Sequence, residues 1–330
     1  MKKLIIIILL AILAVAVVVC APMFGAKFIP LSKLTFANGT DMNADILRQI
    51  RIPRVILAFI AGSALAVSGM AFQALFRNPL AEPFTLGVSS GASLGMAVYI
   101  RLGFAISFLG IAAGPLVAFF GAITAMILVY GLTHMRKGFL ISSMLLAGVA
   151  VNYFFTAIIM LIEYFGNASQ SIRIINWMMG GLEVLGADNI YQIFPFVIIG
   201  ASIIVLLSRE LNLFAAGEDI AISRGVNIKR VKNTVFFATS LMVGGVAAVC
   251  GPVGFVGMMC PHICRLLVGS DHRYLAPASL LFGGMFLVIC DTIARVVFAP
   301  AEIPVGIITS LIGGPFFIWL LTKNQINQAV

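Results

Sequence analysis

The chain has 330 residues, 61% of them hydrophobic and only 10% charged, with a mean hydropathy of +1.11. Soluble domains carry about 25% charged residues, so this composition excludes a sizeable soluble domain and leaves membrane spans joined by short loops. The net charge of +9 invites a nucleic-acid reading, but the basic residues are scattered through loops and form no basic face.

Met1-Lys2-Lys3 followed by an apolar run from Leu4 to Met23 mimics a signal peptide. The run is too long for one and no small-x-small cleavage site ends it, so it reads as an uncleaved first span with a cytoplasmic start. Apolar runs cut by turn and charge clusters give ten candidate spans, at about 4–24, 54–76, 86–100, 114–133, 139–162, 190–207, 233–250, 256–268, 274–297 and 305–321. The third and eighth are short for a crossing and are expected to be tilted or broken. Residues 1–330 therefore read as a single all-α polytopic membrane domain.

The second span opens after the basic pair Arg51-Ile52-Pro53-Arg54 and ends in the polar break Arg77-Asn78-Pro79-Leu80-Ala81-Glu82-Pro83. Such breaks suit a protein that bends its helices around a pathway. The third span restarts on Gly87, Gly91 and Gly95, small residues that let helix backbones approach closely. Gly251-Pro252-Val253-Gly254-Phe255-Val256-Gly257 echoes the first break, as an inverted repeat would, and Pro261 is expected to break the eighth span. The five cysteines all lie in apolar surroundings and read as small buried thiols. Cys260-Pro261-His262-Ile263-Cys264 has no neighbouring carboxylate or second His to make a metal site, and His134, His262 and His272 read as structural. Trp177 and Trp319 suit membrane interfaces.

With Lys2 inside, alternate loops place 13 of the 21 Lys and Arg residues on the cytoplasmic side, whereas seven of the twelve acids fall outside. The positive-inside rule thus sets the orientation, with both termini cytoplasmic. No GxxxxGK[ST] phosphate loop occurs in the sequence, so a transporter built this way borrows its motor. Asp291 and Arg295, four apart near the outer end of the ninth span, are the ionisable pair within a span and can neutralise one another. The longest cytoplasmic loop, about 208–232, is where a borrowed motor would dock. In it Gly217 can end one short helix, Glu218 and Asp219 favour the first turn of the next, and Gly225 can close that helix in left-handed geometry.

Taken in order, these segments resemble the FecCD-type permeases, which import iron-siderophores, haem and vitamin B12 in bacteria. The resemblance extends through Leu145-Leu146-Ala147-Gly148-Val149-Ala150, Trp177-Met178-Met179-Gly180-Gly181, Gly254-Phe255-Val256-Gly257 with Pro261-His262 and Arg265, Glu302-Ile303-Pro304-Val305-Gly306 and Gly313-Gly314-Pro315-Phe316-Phe317. It implies the type II fold of ATP-binding-cassette (ABC) importers, with about ten helices per subunit, in the inner membrane. It also implies a homodimer with the pathway at the two-fold interface, two ATPase subunits below, and a periplasmic or lipid-anchored binding protein above. No cofactor, catalytic residue or nucleic-acid partner is expected. The resemblance assigns ATPase coupling to Gly217, Glu218, Asp219, Ala221, Arg224 and Gly225, and docking of the binding protein to Arg51, Arg54 and Arg295. It assigns the translocation pathway and its gate to Ser142 and Ser143, at the start of the fifth span, with Gln73 and Asn78. Arg224 departs from the family, which more often has an apolar residue there. An ion-coupled secondary transporter is the alternative, and the choice among siderophore, haem and cobalamin stays open.

Overall fold

The computed structural model describes residues 2–34, 41–103, 107–108, 111–134, 141–182 and 186–328. In chain order the helices are α1 (Lys2–Cys20), α2 (Met42–Ile46), α3 (Ile52–Phe76), α4 (Val88–Leu102), α5 (Ala113–His134), α6 (Ile141–Tyr164) and α7 (Ala168–Met178). There follow α8 (Asp188–Leu206), α9 (Ser208–Ala216), α10 (Glu218–Ser223), α11 (Ile228–Cys250), α12 (Val256–Val268), α13 (His272–Val296) and α14 (Val305–Gln328). A two-residue antiparallel ladder, Ser107–Phe108 with Ile111–Ala112, interrupts an otherwise helical chain. Ten of these helices coincide with the ten expected spans. Among the described residues seven helices are long and apolar enough to cross a membrane, while the apolar helices Val256–Val268 and Val305–Leu320 are shorter. At 15 and 13 residues, α4 and α12 are the short pair that the sequence led one to expect.

Three features differ from expectation, each for a local reason. The second span begins earlier, because Asp41 caps α2 through Asn43 N–H and a π-helical turn, Leu47–Arg51, carries α2 on into α3. Pro261 does not break α12, which runs through it to Val268. Pro261 is the sixth of its thirteen residues and lacks only the N–H that would reach Gly257, while its buried ring packs inside the bundle. The outer loop around Trp177 contains a true helix, α7, fixed by a capping box between Asn167 and Gln170.

The centre of the molecule is α3, which is buried almost continuously from Ala61 to Phe76. Small residues permit this. A side chain at Gly62 would strike the Gly283 carbonyl of α13, and one at Gly69 would strike the Gly257 backbone of α12. The Gly91–Gly95 ladder of α4 seats on Gly121 and Val117 of α5, so these glycines serve helix packing. By contrast α1, α6 and α8 expose rows of large apolar side chains, among them Ile5, Leu9, Phe154, Met160, Ile198 and Leu206. In water such faces would aggregate; in lipid they are the solvated surface. The chain is a polytopic all-α membrane protein.

Candidate coupling segment, helix breaks and outer arginine network

One end of the bundle gathers the start of α1, the end of α3, the helices α9 and α10, and the α12–α13 turn. Lys3, for example, lies over the Tyr274 ring. There the chain builds a compact unit from the residues assigned to coupling. Leu211 and Phe214 anchor α9 in the core with no exposed surface. Gly217 ends α9, and α10 follows at once with Glu218 and Asp219 in its first turn. Ala221 is fully buried, whereas Asp219, Ile220, Ile222, Ser223 and Arg224 are exposed. Gly225, at φ +81°, closes α10: its N–H donates to the Ile222 carbonyl, and Val226 N–H reaches back to Ala221, each at 2.9 Å. That pair of bonds is a Schellman stop, and left-handed backbone at its turn favours glycine. Asn227 then caps α11 by accepting from Arg230 N–H at 3.0 Å. The segment is thus held by buried anchors while it offers two isoleucines and a charged rim outward.

A second layer fixes the segment to the bundle. Glu218 pairs with the buried Lys232 of α11 at 3.0 Å. The Lys232 ammonium lies over the Phe214 ring, and so does the guanidinium of Arg77, which also donates to the Phe214 carbonyl. Arg77 is itself the left-handed cap of α3, at φ +48°. The end of α3 and the coupling segment therefore share one aromatic side chain. Phe214 and Lys232 lie within the 208–232 loop expected to dock a motor, but their contact was not legible from spacing.

The expected gate residues divide. Gln73 is buried and ties α3 to α12, donating to the Met258 carbonyl at 3.0 Å and accepting from Arg265 at 2.8 Å. Asn78 turns the chain after α3 by accepting from Leu80 N–H. Ser143 is half-buried near the start of α6; the side chain of Ser142 lies outside the described part. The structure brings Gln73 together with α12 rather than with the start of α6. It does join the two helix breaks that echo one another in sequence. Glu82, buried beyond Asn78, accepts from Phe255 N–H at 3.0 Å, and Phe255 is held at φ +69° before α12.

The three outer arginines are already engaged. Arg51 donates to the carbonyls of Pro22, Met23 and Lys27, the last at 2.8 Å. Arg54 and Arg295 grip opposite oxygens of the fully buried Asp291, each at 2.9 Å. Arg54 also pairs with the exposed Glu302, and Arg295 donates to the Phe24 carbonyl. All three side chains are at most 8% exposed. All three guanidinium groups are thus engaged within the chain. The α13 neighbours Asp291 and Arg295 do pair, but Arg54 shares the same carboxylate, and the arrangement clamps the ends of α1, α3 and α13.

Comparison with known proteins agrees with this architecture. Residues 6–323 match the model of the FecCD transport family. The hemin transport system permease of Yersinia pestis is 36% identical over 327 residues, covering 97% of this chain and 96% of that protein. A vitamin B12 import system permease of Citrobacter koseri is 39% identical over 284 residues, covering 84% of this chain and 83% of its own length. A solved structure of a metal-chelate type ABC transporter in an inward-facing conformation superposes with a TM-score of 0.84 at 30% identity, covering 97% of this chain and 99% of that one.

Proposed function

This chain belongs to the FecCD transport family, and from that premise we propose that it is the membrane subunit of an ABC importer carrying an iron chelate, haem or cobalamin across the inner membrane. Two copies form the pathway at their interface, and two separate ATPase subunits supply the energy. A periplasmic or lipid-anchored binding protein delivers the substrate. The relatives named for hemin and vitamin B12 support the substrate class. Both termini lie in the cytoplasm, as the basic bias of the α9–α10 end suggests.

The observation that carries this reading is the segment Gly217–Gly225. A six-residue helix that buries Ala221 and Phe214 beneath it yet exposes Ile220 and Ile222 between charged groups suits a protein surface better than lipid or water. Glu218, Asp219 and Arg224 form the rim of that contact, and its backbone is set by Gly217 and Gly225. At the outer end, Arg51, Arg54 and Arg295 hold the rim on which the binding protein rests, with Glu302 at its surface. Ser142, Ser143, Gln73 and Asn78 govern the inner gate, Gln73 through its link to α12.

Vesicles containing this permease decide between the proposal and an ion-coupled carrier. Uptake of a siderophore, haem or cobalamin should require the ATPase subunit and internal ATP, together with the binding protein. Uptake driven by a proton or sodium gradient without that subunit would overturn the proposal.

A further inference from the structure

On the face that carries α9 and α10, a cleft of about 720 Å³ opens between the end of α3, the wall of α9 and the α12–α13 turn. Its charged and titratable groups are Arg77, Arg265, Asp271 and His272, with Gln73, Asn78, Asn212 and Ser270 as the neutral polar ones. The charge within it is unbalanced. Asp271 is the one carboxylate on the lining, and it is engaged by Arg273 and by Asn212, each at 2.7 Å. Arg273 holds that carboxyl well below the usual range, so it stays an anion committed to its own neighbours. Asn212 Oδ1 in turn accepts the His272 backbone N–H at 2.8 Å and meets Nδ1 of the same residue at 2.7 Å. Asn212 thus links Asp271 to His272, whose Nε2 is left without a partner among the described residues.

The two arginines are not balanced in this way. Arg265 is half-buried and donates one nitrogen to Gln73; Arg77 donates Nε to the Phe214 carbonyl. Among the described residues neither forms an ion pair. Two guanidinium groups facing one cleft, each with donors to spare and no anion, are matched by a carboxylate, which can accept from both.

We propose that this cleft receives an acidic side chain of the ATP-hydrolysing subunit, as a second anchor beside α10. The inference rests on the reading of this chain as an importer permease. Continuity points to that occupant: Asn212, Ala215 and Ala216 of α9 form one wall, and α9 passes through Gly217 directly into the proposed coupling helix. The exposed Ala215 and Ala216 are small enough to let a partner's backbone approach. The opposite walls belong to α3 and α12, which Gln73 already joins. An acid lodged here would therefore bridge the coupling segment to α3 and α12.

The test uses the full permease in phosphatidylcholine nanodiscs with the purified ATPase subunit. Arg77→Gln combined with Arg265→Gln should weaken binding by about tenfold or more, and should flatten the fall of affinity with salt seen for the wild type. Independently of any arginine change, Ser270→Cys on the exposed rim of the cleft should be alkylated more slowly once the ATPase is added. If the wild type binds no ATPase subunit, the importer reading fails and this inference fails with it. If the wild type binds but the double variant binds equally well and Ser270→Cys reacts unchanged, only the cleft assignment is overturned. An arginine effect seen solely in discs containing anionic lipid would give the cleft to a lipid headgroup. Protection of Ser270→Cys before the ATPase is added would give it to a second copy of the chain. Should the double variant fail to fold, the alkylation result alone decides.

Discussion

Gly225→Pro should reduce ATP-driven uptake to the level seen without ATP, while membrane insertion and dimerisation remain at wild-type levels. Gly225 sits at φ +81°, whereas proline is locked near about −65°, so the Schellman stop after α10 cannot form. Proline also lacks the N–H that reaches Ile222. The exposed pair Ile220 and Ile222 would then lose its fixed position relative to the buried Ala221, although no residue of the bundle's core is altered. Gly225→Ala makes a graded control. Nothing lies within 4 Å of a side chain added there, so its cost is the left-handed backbone alone, roughly 1–2 kcal/mol. It should leave measurable, reduced transport. Glu218→Gln should be milder than Glu218→Arg, since the Glu218 side chain is partly solvated and an amide oxygen can still accept from Lys232. Glu218→Arg is a different case, because it places a second cation beside the buried Lys232, and it should stop transport. Uptake measured in reconstituted vesicles, with dimer content checked by size-exclusion chromatography, provides the comparison. Wild-type transport in both Gly225→Pro and Glu218→Arg would remove this segment from the mechanism.

The largest loss of stability is expected from Asp291→Leu. Asp291 has no exposed surface and is the carboxylate shared by Arg54 and Arg295. Removing it leaves two buried guanidinium groups facing each other across the α3–α13 contact. Taking one partner from a buried ion pair costs about 3–5 kcal/mol. Glu302 relieves Arg54 in part, being its second anion, but Arg295 has no other carboxylate among the described residues. The purified single variant should melt well below the wild type and accumulate poorly. The triple variant Arg54→Met, Asp291→Leu, Arg295→Met removes all three charges together and should recover much of the lost stability, as buried ion clusters replaced by apolar groups often do. A triple variant as unstable as the single one would show that the network contributes specific geometry that apolar packing cannot replace.

The fold was largely legible in the sequence, because in lipid a helix must satisfy its own backbone and an apolar run therefore declares itself. The short spans at α4 and α12 could be read from their flanking glycines, and the α9–Gly217–α10–Gly225 pattern from local propensity. What escaped reading depends on contacts between distant segments. Arg54 and Asp291 are 237 positions apart, and nothing in either neighbourhood shows that the carboxylate already paired with Arg295 will take up a second arginine. Phe214 and Lys232 fall within the loop singled out from the sequence, and only the stacking of one on the other escaped. The helix α7 is a different kind of omission, since Asn167 and Gln170 were a readable capping box masked by the expectation of a loop around Trp177. Pro261 misled because a proline inside a buried span removes one hydrogen bond without ending the helix where neighbouring helices hold the backbone on both sides.

The most direct test of the account is photocrosslinking from a benzophenone side chain placed at Ile222 on α10, with Phe28 at the far end of the bundle as control. Both positions are exposed, at 59% and 55%. In membranes containing the complete importer, the Ile222 probe should give a crosslinked product with the ATPase subunit, and the Phe28 probe should give none. Absence of that product from Ile222, under conditions where the complex supports ATP-driven uptake, would contradict the assignment of α10 as the coupling helix.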